Sequence, residues 1–207
     1  MDPTPSTIPN DKETLTDILR RRTLFIIDPV VTVMARWRIS PNSLTIAGML
    51  AHFLVAWLIA QGEMQWAAVA IFFIAPLDAL DGALARKLGL QQGNFGAFLD
   101  STLDRLAEII LFGGFIFYYV AQDNSWMLAA TYVAATGSLM VSYTRARAEA
   151  LAHSAKVGIL SRVERYVVLT LALLIDMPAI ALVVIAAFTY MTVAQRVVHV
   201  WQQARVS

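Results

Sequence analysis

Long apolar runs separated by short polar breaks dominate the chain. From Leu44 to Ala60 the sequence is almost uninterrupted hydrophobic residues, and Ser40-Pro41 just ahead of it reads as an N-cap followed by a proline suited to the first helical turn. Gln61, Gly62 and Glu63 break the run. Five further helices are expected at about 65–88, 95–121, 125–152, 162–175 and 178–203, with a glycine-bearing loop at 89–94 between the second and third. Runs of this kind approach the roughly 20 residues that cross a hydrocarbon core. The pattern therefore predicts an all-α, polytopic membrane protein with six transmembrane helices.

The N-terminal segment reads differently. Residues 1–11 are rich in Pro, Thr and Asp and are expected to be disordered. From Lys12 to Arg38, Leu15, Ile18, Leu19, Leu24, Phe25, Ile26 and Ile27 mix with Arg20, Arg21, Arg22, Arg36 and Arg38. Such a mixture suits an amphipathic helix lying in the membrane interface, or a basic flank that sets topology. No apolar core followed by a small-residue cleavage site occurs here, so a cleavable signal peptide is not expected. Two units follow: 1–38, tail and juxtamembrane helix, and 39–207, the membrane domain.

Composition narrows the class. Of 207 residues, 58% are hydrophobic and 15% charged, and the mean hydropathy is +0.61, values that exclude an ordinary soluble domain. A net charge of +1 gives no reason to expect a nucleic-acid partner. Zero cysteines exclude disulfides, thiolate metal sites and cysteine nucleophiles. All 16 Lys and Arg residues fall on one side of the six-helix scheme or in helix ends leading to it, whereas the turns near Glu63, Asp123 and Asp176 are acidic. The positive-inside rule then places both termini in the cytoplasm and requires an even number of spans in the cell membrane. Trp37, Trp66, Trp126 and Trp201 fall near span ends, as an aromatic belt requires, while Trp57 lies deeper.

Against this apolar background stand Asp78, Asp81, Asp100 and Asp104. A carboxylate near the bilayer centre costs about 2.5–3.5 kcal/mol on insertion scales, so cations must meet them. Asp78 and Asp81 are three apart on one helix and Asp100 and Asp104 four apart on the next, so each pair occupies one face, and a short loop makes the helices antiparallel neighbours. Four hard oxygen donors without His or Cys suit Mg2+, with Mn2+ as an alternative, in a two-metal site fitted to displacement at phosphorus. Gly82, Ala85 and Gly96 keep the helix surfaces small beside the carboxylates, and Arg86 offers a fixed fork of donors to a phosphate. The same small residues also suit close helix packing.

The run from Asp78 to Asp104 resembles the CDP-alcohol phosphotransferase family, whose pattern is D-x-x-D-G-x-x-A-R, a spacer, then G-x-x-x-D-x-x-x-D. Asp78, Asp81, Gly82, Ala85, Arg86, Gly96, Asp100 and Asp104 fill all eight positions, with a spacer between Arg86 and Gly96 one residue longer than usual. The resemblance implies a six-span homodimer that moves a phosphatidyl group from CDP-diacylglycerol to a hydroxyl acceptor and releases CMP. It makes the four aspartates metal ligands, gives Asp104 the acceptor's proton, and lines the CDP-lipid site with Gly82, Ala85, Arg86 and the segment Asn42, Ser43, Leu44, Thr45. A hydroxyl residue common just before the Phe-Gly pair is replaced around Gly93.

For the acceptor, the runs SYTRARAEA (142–150), GILSRVER (158–165) and QRVVHVW (195–201) resemble the phosphatidylinositol-phosphate synthases within that family. That likeness implies that Arg145, Arg165 and Arg196 bind the phosphate of inositol phosphate, although positive-inside topology alone would account for any one of them. Phosphatidylglycerophosphate synthase is the alternative within the family. Outside it stand an ion- or proton-coupled transporter, for which no inverted repeat is evident, and a prenyltransferase, whose Asp-rich motifs lack the D-G-x-x-A-R continuation. His52, His153 and His199 are expected to be packing or interfacial residues.

Overall fold

The structure, a computed structural model, describes residues 27–90 and 95–205. The N-terminal tail, most of the expected interfacial helix and Gly93 lie outside the described residues. All regular structure among the described residues is helical. Helix α1 occupies 27–36, followed by α2 (Pro41–Ala60), α3 (Met64–Lys87), α4 (Phe95–Ala121), α5 (Ser125–Ala150), α6 (Arg162–Leu174) and α7 (Pro178–Ala204).

The ends of α2 to α7 follow from local chemistry. Pro41 and Pro178 open their helices where a missing N–H is no loss. The Asn124 side chain caps α5 by accepting a hydrogen bond from the Met127 N–H at 3.1 Å. Gly62 at φ +81° turns the chain between α2 and α3. Pro76, inside α3 and two residues before Asp78, cannot donate to the carbonyl one turn back and so loosens the helix ladder beside the carboxylates.

Three helices, α2, α3 and α7, are long and apolar enough to cross a membrane by length and composition. Phe72, Phe73 and Phe117 stand exposed on the outside of the bundle together with many other large apolar side chains. Water would disfavour such a surface, and a bilayer accommodates it, so the chain is a membrane protein.

Two close crossings set the framework, since α2 packs most extensively on α4 and α3, and α5 on α7. At Gly114 a β-carbon would lie 2.5 Å from the Ala56 carbonyl oxygen, so α4 reaches α2 backbone to backbone. At Gly137 a β-carbon would collide with the Thr189 hydroxyl, and α5 and α7 approach through the same device. Helix α6 contacts both α3 and α7 and thereby links the two halves. Val31 of α1 packs with Leu44 and Leu84, and Lys87 Nζ reaches Asp28 at 3.0 Å and Thr32 at 2.5 Å, which fixes α1 against the end of α3.

Candidate active site

Among the described residues, helices α3 and α4 are not the packed neighbours that the short loop predicts; both pack on α2, and it is across this shared partner that the four aspartates come to one region. Asp78 lies within electrostatic range of Asp81, Asp100 and Asp104. Asp81 is buried and accepts a hydrogen bond from the Thr45 hydroxyl at 2.7 Å. The β-position of Gly48 lies 3.9 Å from Asp78 Oδ1, and that of Gly96 lies 3.1 Å from Asn42 Oδ1. One face of α2, carrying Asn42, Thr45 and Gly48, therefore lies along the carboxylates. Beside them the β-position of Gly82 is 3.3 Å from a terminal nitrogen of Arg86, so a larger residue there would press on the guanidinium. Ala85 is half-buried and Arg86 is exposed on the same helix.

Not every residue of the Asn42 to Thr45 segment faces this site. Leu44 is buried against Val31 and Leu84, and Ser43 is exposed. Helical geometry explains the split, because adjacent residues are turned about 100° apart and only Asn42 and Thr45 share a face.

The cation demanded by the carboxylates is one that the motif did not contain. Arg162, the first residue of α6, places one terminal nitrogen 3.0 Å from Asp78 Oδ2 and donates from the other to Asp104 Oδ2. It thus ties α3 to α4 from a third helix. Its guanidinium stacks over the Tyr166 ring, 5.4 Å from the centroid. Among the described residues no three acidic or histidine side chains are drawn tightly enough to enclose an ion. The donor types still fit a hard divalent cation: four carboxylates from α3 and α4, with Arg162 between two of them as a positive charge.

The three arginines expected around an acceptor phosphate come from α5, α6 and α7. Arg145 and Arg165 both act electrostatically on Arg196, so the three form one positive region. Their donors are differently committed. Arg165, with its side chain 2% exposed, grips Glu108 with two parallel bonds, Nε to Oε1 at 2.8 Å and Nη2 to Oε2 at 3.0 Å. Arg196 donates to the carbonyls of Val157, at 2.9 Å, and Val141. Arg145 is half exposed and paired with Glu149 four residues on at 2.9 Å. The remaining terminal nitrogen of Arg165 lies 3.4 Å from the Leu160 carbonyl oxygen.

The loop from α5 to α6 is stitched to α7. The Leu160 N–H donates to Thr192 Oγ1 at 3.2 Å, and Gln203 accepts from the Ser154 N–H at 2.9 Å while donating back to its carbonyl at 2.7 Å. Gly158, at φ +130°, lies so close to Thr192 that a β-carbon would strike its methyl group. Glu108 and Arg162 are the site residues that the sequence motifs passed over. A signal for Glu108 existed, since it continues the 100, 104, 108 stripe on one face of α4.

Comparison with known proteins gives a consistent picture. A family model described as CDP-alcohol phosphatidyltransferase matches residues 38–203. A phosphatidylinositol phosphate synthase from Streptomyces avermitilis is 33% identical over 197 residues, covering 86% of this chain and 79% of that protein. An archaetidylinositol phosphate synthase from Pyrococcus horikoshii is 37% identical over 173 residues, covering 83% and 88%. The crystal structure of a Mycobacterium tuberculosis phosphatidylinositol phosphate synthase with CDP-DAG bound matches with TM-score 0.79 at 28% identity, over 85% of this chain and 94% of that one. The same enzyme solved with manganese and citrate matches with TM-score 0.77 at 29% identity, over 84% and 88%.

Proposed function

The chain belongs to the CDP-alcohol phosphatidyltransferase family, and from that premise we propose that it transfers the phosphatidyl group of CDP-diacylglycerol to a hydroxyl of inositol phosphate, releasing CMP. The observation that carries this reading is the position of α6. Its first turn faces the four carboxylates through Arg162 and reaches the arginine region through Arg165, so a phosphoryl-transfer site and an anionic acceptor region adjoin.

In this reading Asp78, Asp81, Asp100 and Asp104 hold divalent cations, Mg2+ with Mn2+ as an alternative. Bound in pairs, such ions stabilise the attacking and leaving oxygens of a displacement at phosphorus. Thr45 orients Asp81 through its 2.7 Å hydrogen bond. Asn42, Gly82, Ala85 and Arg86 line the nucleotide diphosphate, with Ser43 at the entrance and Leu44 holding the segment in place from its apolar side. Asp104 accepts the proton of the acceptor hydroxyl as the new oxygen–phosphorus bond forms and the bond to CMP breaks. Arg196 and Arg145 attract the acceptor's phosphate, and Arg165 adds charge while fixing Glu108.

The membrane arrangement belongs to the same proposal: six spans in the cell membrane, both termini cytoplasmic, a membrane domain at 39–207 preceded by a juxtamembrane segment, and a homodimer. Helices α4 and α5, of 27 and 26 residues, reach roughly 40 Å at 1.5 Å per residue, enough for a span despite their charges. The cysteine-free sequence makes topology directly testable with single introduced cysteines. The test of function is CMP release from CDP-diacylglycerol with Mg2+, across inositol 1-phosphate, glycerol 3-phosphate, serine and free inositol. Inositol 1-phosphate should be the best acceptor by far; preference for glycerol 3-phosphate would reassign the acceptor, and absence of CMP with all four would overturn the reaction.

A further inference from the structure

Arg162 is held from two sides. The carboxylates of Asp78 and Asp104 take its terminal nitrogens, while its Nε–H is buried and meets no acceptor among the described residues. Its orientation is therefore not fixed by a full set of hydrogen bonds of its own. The remaining constraint is Tyr166, through the ring beneath the guanidinium and a hydrogen bond between the two side chains. Tyr166 is in turn tied to α2, since its hydroxyl lies 3.1 Å from His52 Nε2 and the two rings meet edge to face with centroids 6.0 Å apart. His52 is buried, and its Nδ1 lies 2.8 Å from the Gly48 carbonyl oxygen. A carbonyl only accepts, so Nδ1 carries the proton and Nε2 of the neutral ring accepts from the Tyr166 O–H.

We propose that His52 and Tyr166 are positioning residues of the transfer reaction. Through the series Gly48, His52, Tyr166 and Arg162, α2 sets the angle at which the guanidinium meets Asp104 and Asp78. The inference rests on Asp104 being the proton acceptor. Geometry gives it force. Arg165, adjacent to Tyr166 in the chain, already clamps this end of α6 to Glu108 of α4, so the His52–Tyr166 bond is not needed to hold the helix and is left to fix the Tyr166 side chain beside Arg162. Helix α2 also carries Asn42 and Thr45, which face the carboxylates, so the series joins the nucleotide side of the site to the residue that removes the proton. A general base misplaced by a fraction of an ångström loses rate without losing substrate affinity.

The plain alternative is that this bond only holds α2 to α6, as polar pairs do in membrane bundles. Kinetic, thermal and spectroscopic readouts separate the two. Tyr166→Phe, which removes one oxygen and keeps the ring, should lower kcat about ten-fold with the KM for CDP-diacylglycerol and the melting temperature unchanged. His52→Leu should do the same, and the double variant should be no worse than either single one, because the two act in series. Arg162→Gln should lose more rate than Arg162→Lys, the lysine recovering part of it. In 15N spectra, His52 should show a protonated Nδ1 and an accepting Nε2 that shifts in Tyr166→Phe. If His52→Leu does not fold, Tyr166→Phe carries the test. With Asp104→Asn inactive, a Tyr166→Phe enzyme at full kcat, or a His52 ring protonated at Nε2 alone, overturns the inference. Full turnover by Asp104→Asn overturns the underlying reading of the site and the inference with it.

Discussion

The two charged regions that meet along the start of α6 use their valences in opposite ways. Among the α3 and α4 carboxylates, Asp78 and Asp104 have side chains 39% and 19% exposed and share Arg162. In the arginine region, Arg165 of α6 and Arg196 of α7 are nearly sealed and spend donors on Glu108 of α4 and on backbone carbonyls. We propose that divalent cations complete the first region. The second is internally satisfied and offers an oriented positive field more than loose donors. A transferase needs both, one side to bind and activate and the other to hold an anion in a fixed place.

The sharpest way to break this comparison is to remove the proposed base. Asp104→Asn keeps the shape of the side chain but not its capacity to take a proton, and kcat should fall by about 10²–10⁴-fold with CDP-lipid binding retained. Near-normal CMP release would remove Asp104 from that role.

Next in size is an effect on stability at the satisfied side. Glu108→Ala leaves Arg165 buried without its carboxylate, and the protein should lose about 3–5 kcal/mol, read as a lowered melting temperature in detergent. Tolerance of that change would mean that the pair is solvated and the contrast drawn above is wrong.

Smaller again is the expected effect of Arg196→Gln. It should raise the KM for the acceptor about ten-fold while leaving that for CDP-diacylglycerol near its original value. Equal changes in both would make Arg196 a tether for the carbonyls of Val157 and Val141 and nothing more. Least of all should be Asp28→Asn, which breaks a pair whose aspartate is 72% exposed; a loss of at most about 1 kcal/mol is expected.

What could be read from the sequence follows the same division. The helix ends fall within a few residues of expectation because long apolar runs are interrupted by Pro41, Gly62, Asn124 and Pro178, whose effects are local. The aspartates were legible for the same reason, since spacings of three and four fix a face without knowledge of the fold. Pairing across the chain was not legible. Arg162 meets a carboxylate 58 residues away and Arg165 one 57 away, and charge counts cannot tell two arginines of one helix turn apart. Only packing decides that the first faces the open cluster and the second the closed one. Leu44 illustrates a milder failure, because a motif read as a block conceals that alternate sides of a helix serve different purposes.

If the carboxylates of α3 and α4 hold divalent cations, as proposed, manganese binding must depend on them. Titration of the purified protein with Mn2+, followed by electron paramagnetic resonance of the free ion, should give specific binding by the wild-type chain. That binding should be lost or severely weakened in the Asp78→Asn, Asp100→Asn double variant. Undiminished binding by the double variant would contradict the claim.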